Sequence, residues 1–294
     1  MLKKDLSTAW SKATLDLYRK HWNDFTSFAA KLCRNPLPAS RDLVTLYVTH
    51  VRHKNALKAS TIQSRLSAIA HFHHMAELDS PTSGYIIDSL LKAYGKQDKP
   101  PATRKSITKD ILVDLIQSVS HNETGYTRKL YRAMLCVMYH GLLRCSEVTH
   151  NSKCNHNIKA SQITLEHDSH VKISFISYKH NKPDPAPLLI KSPGDVSCPY
   201  KAVKRYMKVR PTTSTFMFCN QNGRPVSRNQ LVNIIKSHLA GCGRNNLLFN
   251  THSLRMGKAT DMHNEGYTDL QIAKAGRWSS NAFLKYIKPN IIIV

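Results

Sequence analysis

The clearest chemical signal in the sequence is a histidine and an arginine three residues apart, in the segment Thr251-His-Ser-Leu-Arg255. Side chains at that spacing share one face of a helix, so the His252 imidazole and the Arg255 guanidinium can converge on one anion. Helix N-termini also favour negative charge. A guanidinium stays charged and binds two oxygens at once, which suits the charge that develops when a phosphodiester is cleaved. Taken singly, His252 is more often a capping or core histidine, and Arg255 is more often a surface charge.

Three further segments give this pair more weight. The first is Gly141-Leu-Leu-Arg144-Cys-Ser-Glu147-Val, and the second is Tyr178-Lys-His-Asn-Lys182 followed by Pro187-Leu188. The last is Gly276-Arg-Trp-Ser-Ser-Asn-Ala-Phe-Leu-Lys-Tyr286-Ile. With the histidine–arginine pair, they resemble, in order, the signatures of the tyrosine recombinase (phage integrase) family over roughly 108–290. The Gly-Arg-Trp-Ser-Ser form is most similar to recombinases of eukaryotic Crypton and DIRS-type mobile elements.

The resemblance implies a site-specific recombinase or integrase that cleaves and rejoins DNA through a 3′-phosphotyrosyl intermediate, in the integration or excision of a mobile element. It implies six catalytic residues: Arg144, Lys179, His252, Arg255, Trp278 and Tyr286. The two arginines would clamp the scissile phosphate while the tyrosine attacks it. The lysine would protonate the leaving 5′ oxygen, and the histidine would assist proton transfer with the phenol, which is mostly neutral at rest. The tryptophan would donate its indole N–H to a phosphate oxygen. No cofactor and no metal are expected, because the phosphotyrosine stores the bond energy.

The sequence departs from the family pattern near the sixth position. The gap from Trp278 to Tyr286 is one residue shorter than in bacterial members, and Arg277 sits at the usual spacing, so either Arg277 or Trp278 can fill this role. Met256 stands where many members have a second histidine, and Leu143 adds a residue ahead of the first arginine.

Several of these residues also have structural alternatives. Tyr286 can be a packing aromatic, and Trp278 can be a core residue. Lys179 can be a solvated hairpin charge, with Lys182 as its nearest rival. Glu147 is expected to cap or orient its helix rather than to transfer protons.

The charge balance indicates a polyanionic partner. Lysine and arginine total 43 against 19 acidic residues, a formal net charge of +24. Such a chain repels itself unless an anion compensates it, and nucleic acid is the commonest such partner, ahead of an anionic membrane surface or a ribosomal environment. We expect double-stranded DNA, bound by a homotetramer on two DNA sites as the resemblance implies, and no small-molecule substrate.

The sequence gives no sign of a membrane or of secretion. No apolar run approaches the roughly 20 residues of a membrane span, and the first twelve residues lack the apolar part of a secretory signal. The seven scattered cysteines contain no CxxC pair, which suits a reducing compartment and, in a eukaryote, the nucleus. The group Cys145, His150, Cys154 and His156 matches no tight zinc spacing, so no metal site is expected there.

Apolar periodicity predicts a mainly α fold with a small antiparallel β-sheet. Helices are predicted at 18–32, 42–53, 61–72, 85–94, 130–141, 198–209, 228–239, 252–264, 268–275 and 281–287. Ser60 or Thr61 is the expected cap of the third helix. Strands are predicted at 171–177 and 187–190, joined as a hairpin.

The composition predicts a two-domain DNA clamp. A helical core-binding (SAM-like) DNA-binding domain spans 1–95, a basic linker spans 96–107, and a tyrosine recombinase catalytic domain spans 108–294. The linker is expected to lie as a strap on phosphates, and a solvated loop is the alternative. The helix 61–72, with Gln63, Ser64 and Arg65, is a candidate for contact with the major groove, and a solvated face is the equal alternative. The apolar tail 291–294 can dock on a neighbouring protomer or mark a truncated chain.

Two other functions remain open from the sequence. A domesticated DNA-binding protein would keep the fold and the affinity but form no covalent adduct. A type IB topoisomerase would use the same phosphotyrosine chemistry, relax supercoils as a monomer and need no second DNA site.

Overall fold

The computed structural model describes residues 10–99, 104–150, 156–176, 186–285 and 287. The chain divides into two compact units, Met1–Pro101 and Ala102–Val294. The fold is mainly helical with one small antiparallel sheet, which confirms the predicted fold class. Among the described residues, no helix combines the length and the apolar character needed to cross a membrane.

The first unit is a group of four helices around one apolar core. The helices are α1 (Lys12–Lys31), α2 (Arg41–Asn55), α3 (Ala59–Met75) and α4 (Tyr85–Gln97). Phe25 of α1, Tyr47 of α2 and Leu66 of α3 are buried together, as the helical period of the apolar residues predicts. Phe72, near the end of α3, is half-buried and stacks on Trp22 with the ring centroids 4.7 Å apart.

Helix α3 begins earlier than predicted. Its first residue is Ala59, so Ser60 and Thr61 lie inside the first turn and do not cap it. The cap comes from Asp98, whose Oδ2 accepts the Ala59 N–H at 2.7 Å while its Oδ1 lies 2.5 Å from Nη1 of Arg52. A carboxylate distant in sequence therefore supplies the acceptor, and the chain up to Asp98 belongs to the packing of this unit.

One residue of the proposed major-groove helix is engaged inside the protein. Nη1 of Arg65 lies 2.6 Å from the Tyr47 hydroxyl and 2.9 Å from Oδ2 of Asp24, and the Arg65 side chain is 13% exposed. This arginine therefore holds α1, α2 and α3 together, and Gln63 is the exposed residue of the three named on that helix.

The second unit is built around a helix that is buried on nearly all sides. Its helices are α5 (Lys109–Asn122), α6 (Gly125–His140), α7 (Cys145–Val148), α8 (Pro199–Met207), α9 (Arg228–Gly241), α10 (Thr251–Asn264) and α11 (Asp269–Gly276). The part of α6 from Ala133 to Tyr139 is fully buried among α5, α8 and α10. Ile107, within the predicted linker, is also buried, and its N–H donates to the Ser253 carbonyl at 2.9 Å.

The sheet contains one strand more than predicted. Its described strands are β1 (Ile163–Glu166), β2 (His170–Ile173) and β3 (Leu188–Lys191), in the order β1-β2-β3 with antiparallel pairing. The two predicted strands pair antiparallel, with Val171 opposite Ile190 in the β2–β3 pair. The strand predicted to reach residue 177 is regular only to Ile173, and residues 177–185 lie outside the described residues.

Candidate active site

Arg144 is placed by a sharp turn after the buried helix α6. Leu142 has a positive φ of 45°, and the Leu143 N–H donates back to the Met138 carbonyl at 2.9 Å. Arg144 then precedes α7, where its backbone N–H donates to Oε2 of Glu147 at 2.8 Å. The extra residue Leu143 is thus accommodated inside the turn, and its side chain is fully buried in the core.

His252 and Arg255 lie in the first turns of α10, as their spacing predicts. Asn250 caps this helix, because its side-chain oxygen accepts the His252 N–H at 2.8 Å. Ser253, whose Oγ accepts the Asn250 N–H at 3.1 Å, is fully buried between the two residues. The helix is therefore fixed at its start, and both side chains are held on its first two turns.

The two arginines meet at a turn after α11. Arg255 is 1% exposed, and its guanidinium donates to the carbonyls of Leu142 and Gly276. Nη2 of Arg144 lies 3.4 Å from the carbonyl oxygen of Arg277. Side chains that are 111 positions apart in sequence, at 144 and 255, thus reach consecutive carbonyls of one turn.

Trp278 lies against Arg255. The guanidinium carbon of Arg255 is 4.1 Å from the centroid of the indole ring, within the range of a cation–π contact. Phe283, in the 3₁₀ helix Asn281–Lys285, also contacts this indole, with the two ring centroids 5.7 Å apart. A Cβ on Gly276 would lie 1.7 Å from a carbon of this ring, so only glycine permits this position of the indole.

Arg277, the alternative to Trp278, lies on the opposite side of the same turn. It adopts a left-handed conformation with φ of 55° and is the C-terminal cap of α11. Its Nη2 is 3.0 Å from Oε2 of Glu147, and its guanidinium lies 4.5 Å from the ring centroid of Phe175. The structure therefore brings Trp278 to Arg255 and Arg277 to the carboxylate of Glu147.

Glu147 joins Arg144 to Arg277. Its side chain is 1% exposed, and its Oε1 lies 3.2 Å from Nη1 of Arg144. The two guanidinium side chains are 18% and 11% exposed, so this ion pair is largely shielded from water. A buried carboxylate of this kind is stable only when it is paired, and here it orients Arg144 from both its backbone and its side chain. That role agrees with the expectation that Glu147 orients its helix.

The electrostatic potential around His252 is strongly positive. Burial, together with the nearby charges of Arg255, Arg104, Arg144 and Arg228, lowers the pKa of His252 to about 4. The imidazole is therefore neutral near pH 7 and can accept a proton. Arg104 and Arg228 are exposed and were not among the expected site residues, although their basic character and their places beside a helix start and a linker were visible in the sequence.

The remaining expected residues fall outside this description. Lys179, its rival Lys182 and Tyr286 lie outside the described residues. The same holds for Cys154 of the cysteine and histidine group, and the described residues contain no cluster of three or more metal-ligating side chains. The described part of the candidate site therefore contains two guanidinium groups, a neutral imidazole and an indole.

A known family model matches part of each of the two units. The model of the Phage integrase family matches residues 105–288, and the model of the Phage integrase N-terminal SAM-like domain matches residues 3–79. Comparison with curated proteins found no significant match.

Solved structures show the same fold at low sequence identity. A lambda integrase dimer bound to a COC′ core site is 15% identical with a TM-score of 0.63, covering 98% of this chain and 93% of that one. The XerH site-specific recombinase bound to difH substrate in a pre-cleavage complex is 15% identical with a TM-score of 0.61, covering 90% and 72%. The Tn1549 transposon integrase in complex with transposon right end DNA is 15% identical with a TM-score of 0.59, covering 86% and 82%.

Proposed function

The chain belongs to the phage integrase family of tyrosine recombinases, and from this premise we propose that it cleaves and rejoins double-stranded DNA through a covalent bond to Tyr286. The observation that carries the proposal is the convergence of Arg144 and Arg255 on one turn, with the neutral His252 imidazole in the same positive field. Two guanidinium groups and a proton acceptor are what a phosphodiester exchange needs at the phosphate.

In the proposed reaction, the phenol oxygen of Tyr286 attacks the phosphorus and the bond to the 5′ oxygen breaks. His252 accepts the phenol proton, for which its lowered pKa keeps it available. Lys179 gives a proton to the leaving 5′ oxygen, so the products are a 3′-phosphotyrosine and a 5′-hydroxyl. Arg144 and Arg255 neutralise the charge on the non-bridging oxygens. Rejoining reverses these steps and consumes no ATP.

Trp278 supports this reaction in our proposal by holding Arg255, and its indole N–H is the expected donor to a phosphate oxygen. Its ring stands at 4.1 Å from the Arg255 guanidinium, whereas Arg277 is drawn to Glu147. This difference favours Trp278 over Arg277 for the sixth position.

We further propose that the chain acts as a homotetramer that pairs two DNA sites for a mobile element. Each of the three structural neighbours described is a recombinase or integrase in complex with DNA, and one comes from a transposon. The Gly-Arg-Trp-Ser-Ser segment supports a source among Crypton or DIRS-type elements, and the protein would then act in a nucleus.

The deciding experiment uses a duplex with a nick beside the cleavage site. Cleavage then releases a short fragment that carries the 5′-hydroxyl, so rejoining is prevented and the covalent adduct accumulates. Because the site is unknown, it is first found by sequencing DNA trapped on the wild-type protein. The wild type should form an adduct, and Tyr286→Phe should form none while it still binds DNA. An adduct of equal yield with Tyr286→Phe would exclude Tyr286 as the nucleophile.

The same preparation separates the other two candidates. A wild-type protein that binds the duplex but forms no adduct would be a DNA-binding protein without catalysis. Relaxation of a supercoiled plasmid by the monomer, without a specific site, would instead identify a topoisomerase.

A further inference from the structure

The second unit carries a basic cleft between α6 and α8, well away from Arg144. The cleft has a volume of about 270 Å³, and its lining is Ser120, Arg128, Lys129, Arg132, Ala202 and Arg205. Arg132 lies eight residues before His140, where α6 ends, and at 1.5 Å per residue this is about 12 Å of helix. Arg144 follows only after that end, so the cleft is separate from the site described above.

The positive charges in this cleft repel one another. Arg128 and Arg132 are four residues apart on α6, and Arg205 of α8 lines the same cleft. Like charges at that spacing destabilise a helix by a few tenths of a kcal/mol per pair. This group of cations on neighbouring helices costs stability in the isolated chain unless an anion lies among them.

No carboxylate in the described part of the chain compensates these cations. Arg128, Lys129, Arg132 and Arg205 form no ion pair within 4.0 Å among the described residues. Nearby acids are already occupied. Asp195 lies 2.7 Å from Nζ of Lys109, and Asp168 lies 3.4 Å from Nζ of Lys204.

Backbone carbonyls hold two of the arginines in place without neutralising them. Nη2 of Arg132 donates to the Val196 carbonyl at 2.8 Å, and Nη1 of Arg128 donates to the Ser120 carbonyl at 3.2 Å. Nε of Arg132 is buried and has no acceptor among the described residues. A guanidinium that is oriented, partly buried and left with a spare donor is suited to an anion with several oxygens.

We propose that this cleft binds the phosphodiester backbone of a DNA segment other than the one in the active site. The proposal rests on the proposed function for the identity of the polyanion, while the cleft itself is independent of the catalytic residues. Phosphates spaced along a strand match cations on two adjacent helices better than a single small anion does, and such contacts depend on charge rather than on base sequence.

The test compares Arg128→Gln/Arg205→Gln with the wild type in the full chain. Each phosphate contact contributes about 0.9 to the slope of log affinity against log salt, so removing two should make the slope shallower by about 2 on a long duplex of arbitrary sequence. On a short duplex that fills only the active site the slope should not change, and an equal change there would mean that the cleft contacts the active-site duplex. Adduct yield on the nicked duplex should be unchanged. A matched control, Lys191→Gln/Lys236→Gln, removes the same charge from α9 and β3 outside the cleft and should change the slope by less than one contact.

A slope equal to that of the control would overturn the proposal. Arg128→Lys/Arg205→Lys keeps the charge, so it should retain the wild-type slope, and a loss there would show that misfolding rather than charge caused the effect. If inorganic phosphate stabilised the wild type against heat but not the Gln variant, while both had the same DNA slope, the cleft would bind free phosphate and not DNA. Because these readings measure binding alone, they remain interpretable even if the wild type forms no adduct.

Discussion

Gly276→Ala is the sharpest available test of how the indole is seated beside Arg255. In an ordinary helix this substitution stabilises by about 1 kcal/mol, because glycine loses more backbone entropy on folding. Here the added Cβ would lie 1.7, 2.0 and 2.4 Å from three carbons of the Trp278 ring. A rigid ring cannot yield as the end of a flexible side chain does, so the indole must move as a whole.

The net effect can be worked from these contacts. Overpacking costs about 1–3 kcal/mol, and loss of the contact between the ring and Arg255 costs about 1 kcal/mol more. The gain of about 1 kcal/mol from replacing glycine in a helix offsets part of this cost, so the free energy of unfolding should fall by about 2 kcal/mol in total. For a unit of this size, the midpoint of thermal unfolding should fall by about 4–8 °C. Adduct formation should fall as well, since Arg255 loses the surface on which it rests.

Gly95→Ala is the matched control. Gly95 lies within α4, its φ is not positive, and nothing lies within 4 Å of an added Cβ. This variant should gain about 0.5–1 kcal/mol, so the two substitutions should have opposite signs. Calorimetry of the full chain measures both midpoints. A Gly276→Ala protein as stable as the wild type, with unchanged adduct yield, would refute the seating of Trp278 described above.

Two further predictions concern Glu147 and the buried histidines. Glu147→Gln should lower the free energy of unfolding by about 2–3 kcal/mol and reduce adduct yield, because it removes the negative charge that two largely buried guanidiniums share. Glu265→Gln, whose carboxylate is half exposed and 3.8 Å from Lys258, should cost under about 0.5 kcal/mol, and equal losses in denaturant titrations would contradict the ranking. Burial lowers the pKa of both His140 and His252 to about 4, so between about pH 6.5 and 4 the unfolded chain binds more protons and the free energy of unfolding falls as the pH is lowered. His140→Gln should flatten this dependence, and an unchanged slope would show that His140 does not cause it.

Regular helices were the part of the fold that the sequence could predict. The ranges expected for α9 to α11 agree with the structure within about two residues, because each has an apolar stripe of helical period. Helix α5 is not among the predicted elements, although Leu112, Leu115, Ile116 and Val119 are buried at helical spacing and carry the same signal. Strand β1, with four residues, is too short for alternation to show, and it exists because β2 pairs with it.

For the candidate site, the sequence could predict which residue types gather but not how they are held. The spacing of His252 and Arg255 fixes their common helix face. By contrast, the left-handed conformation of Arg277 follows from tertiary contacts with Glu147 and Phe175, and a non-glycine residue carries no local signal for it. The lack of a side chain at Gly276 leaves room for the Trp278 ring, a requirement that only the folded structure shows.

The carbonyl oxygens held by Arg144 and Arg255 have a consequence for selectivity. An incoming group that replaces one of these peptide acceptors gains only the difference between the new hydrogen bond and the old one. A neutral amide or hydroxyl gains almost nothing from this exchange. An anionic oxygen forms a bond about twice as strong as a neutral one. In the proposed reaction, the carbonyl oxygens of this turn would therefore compete well against uncharged groups and poorly against a phosphate.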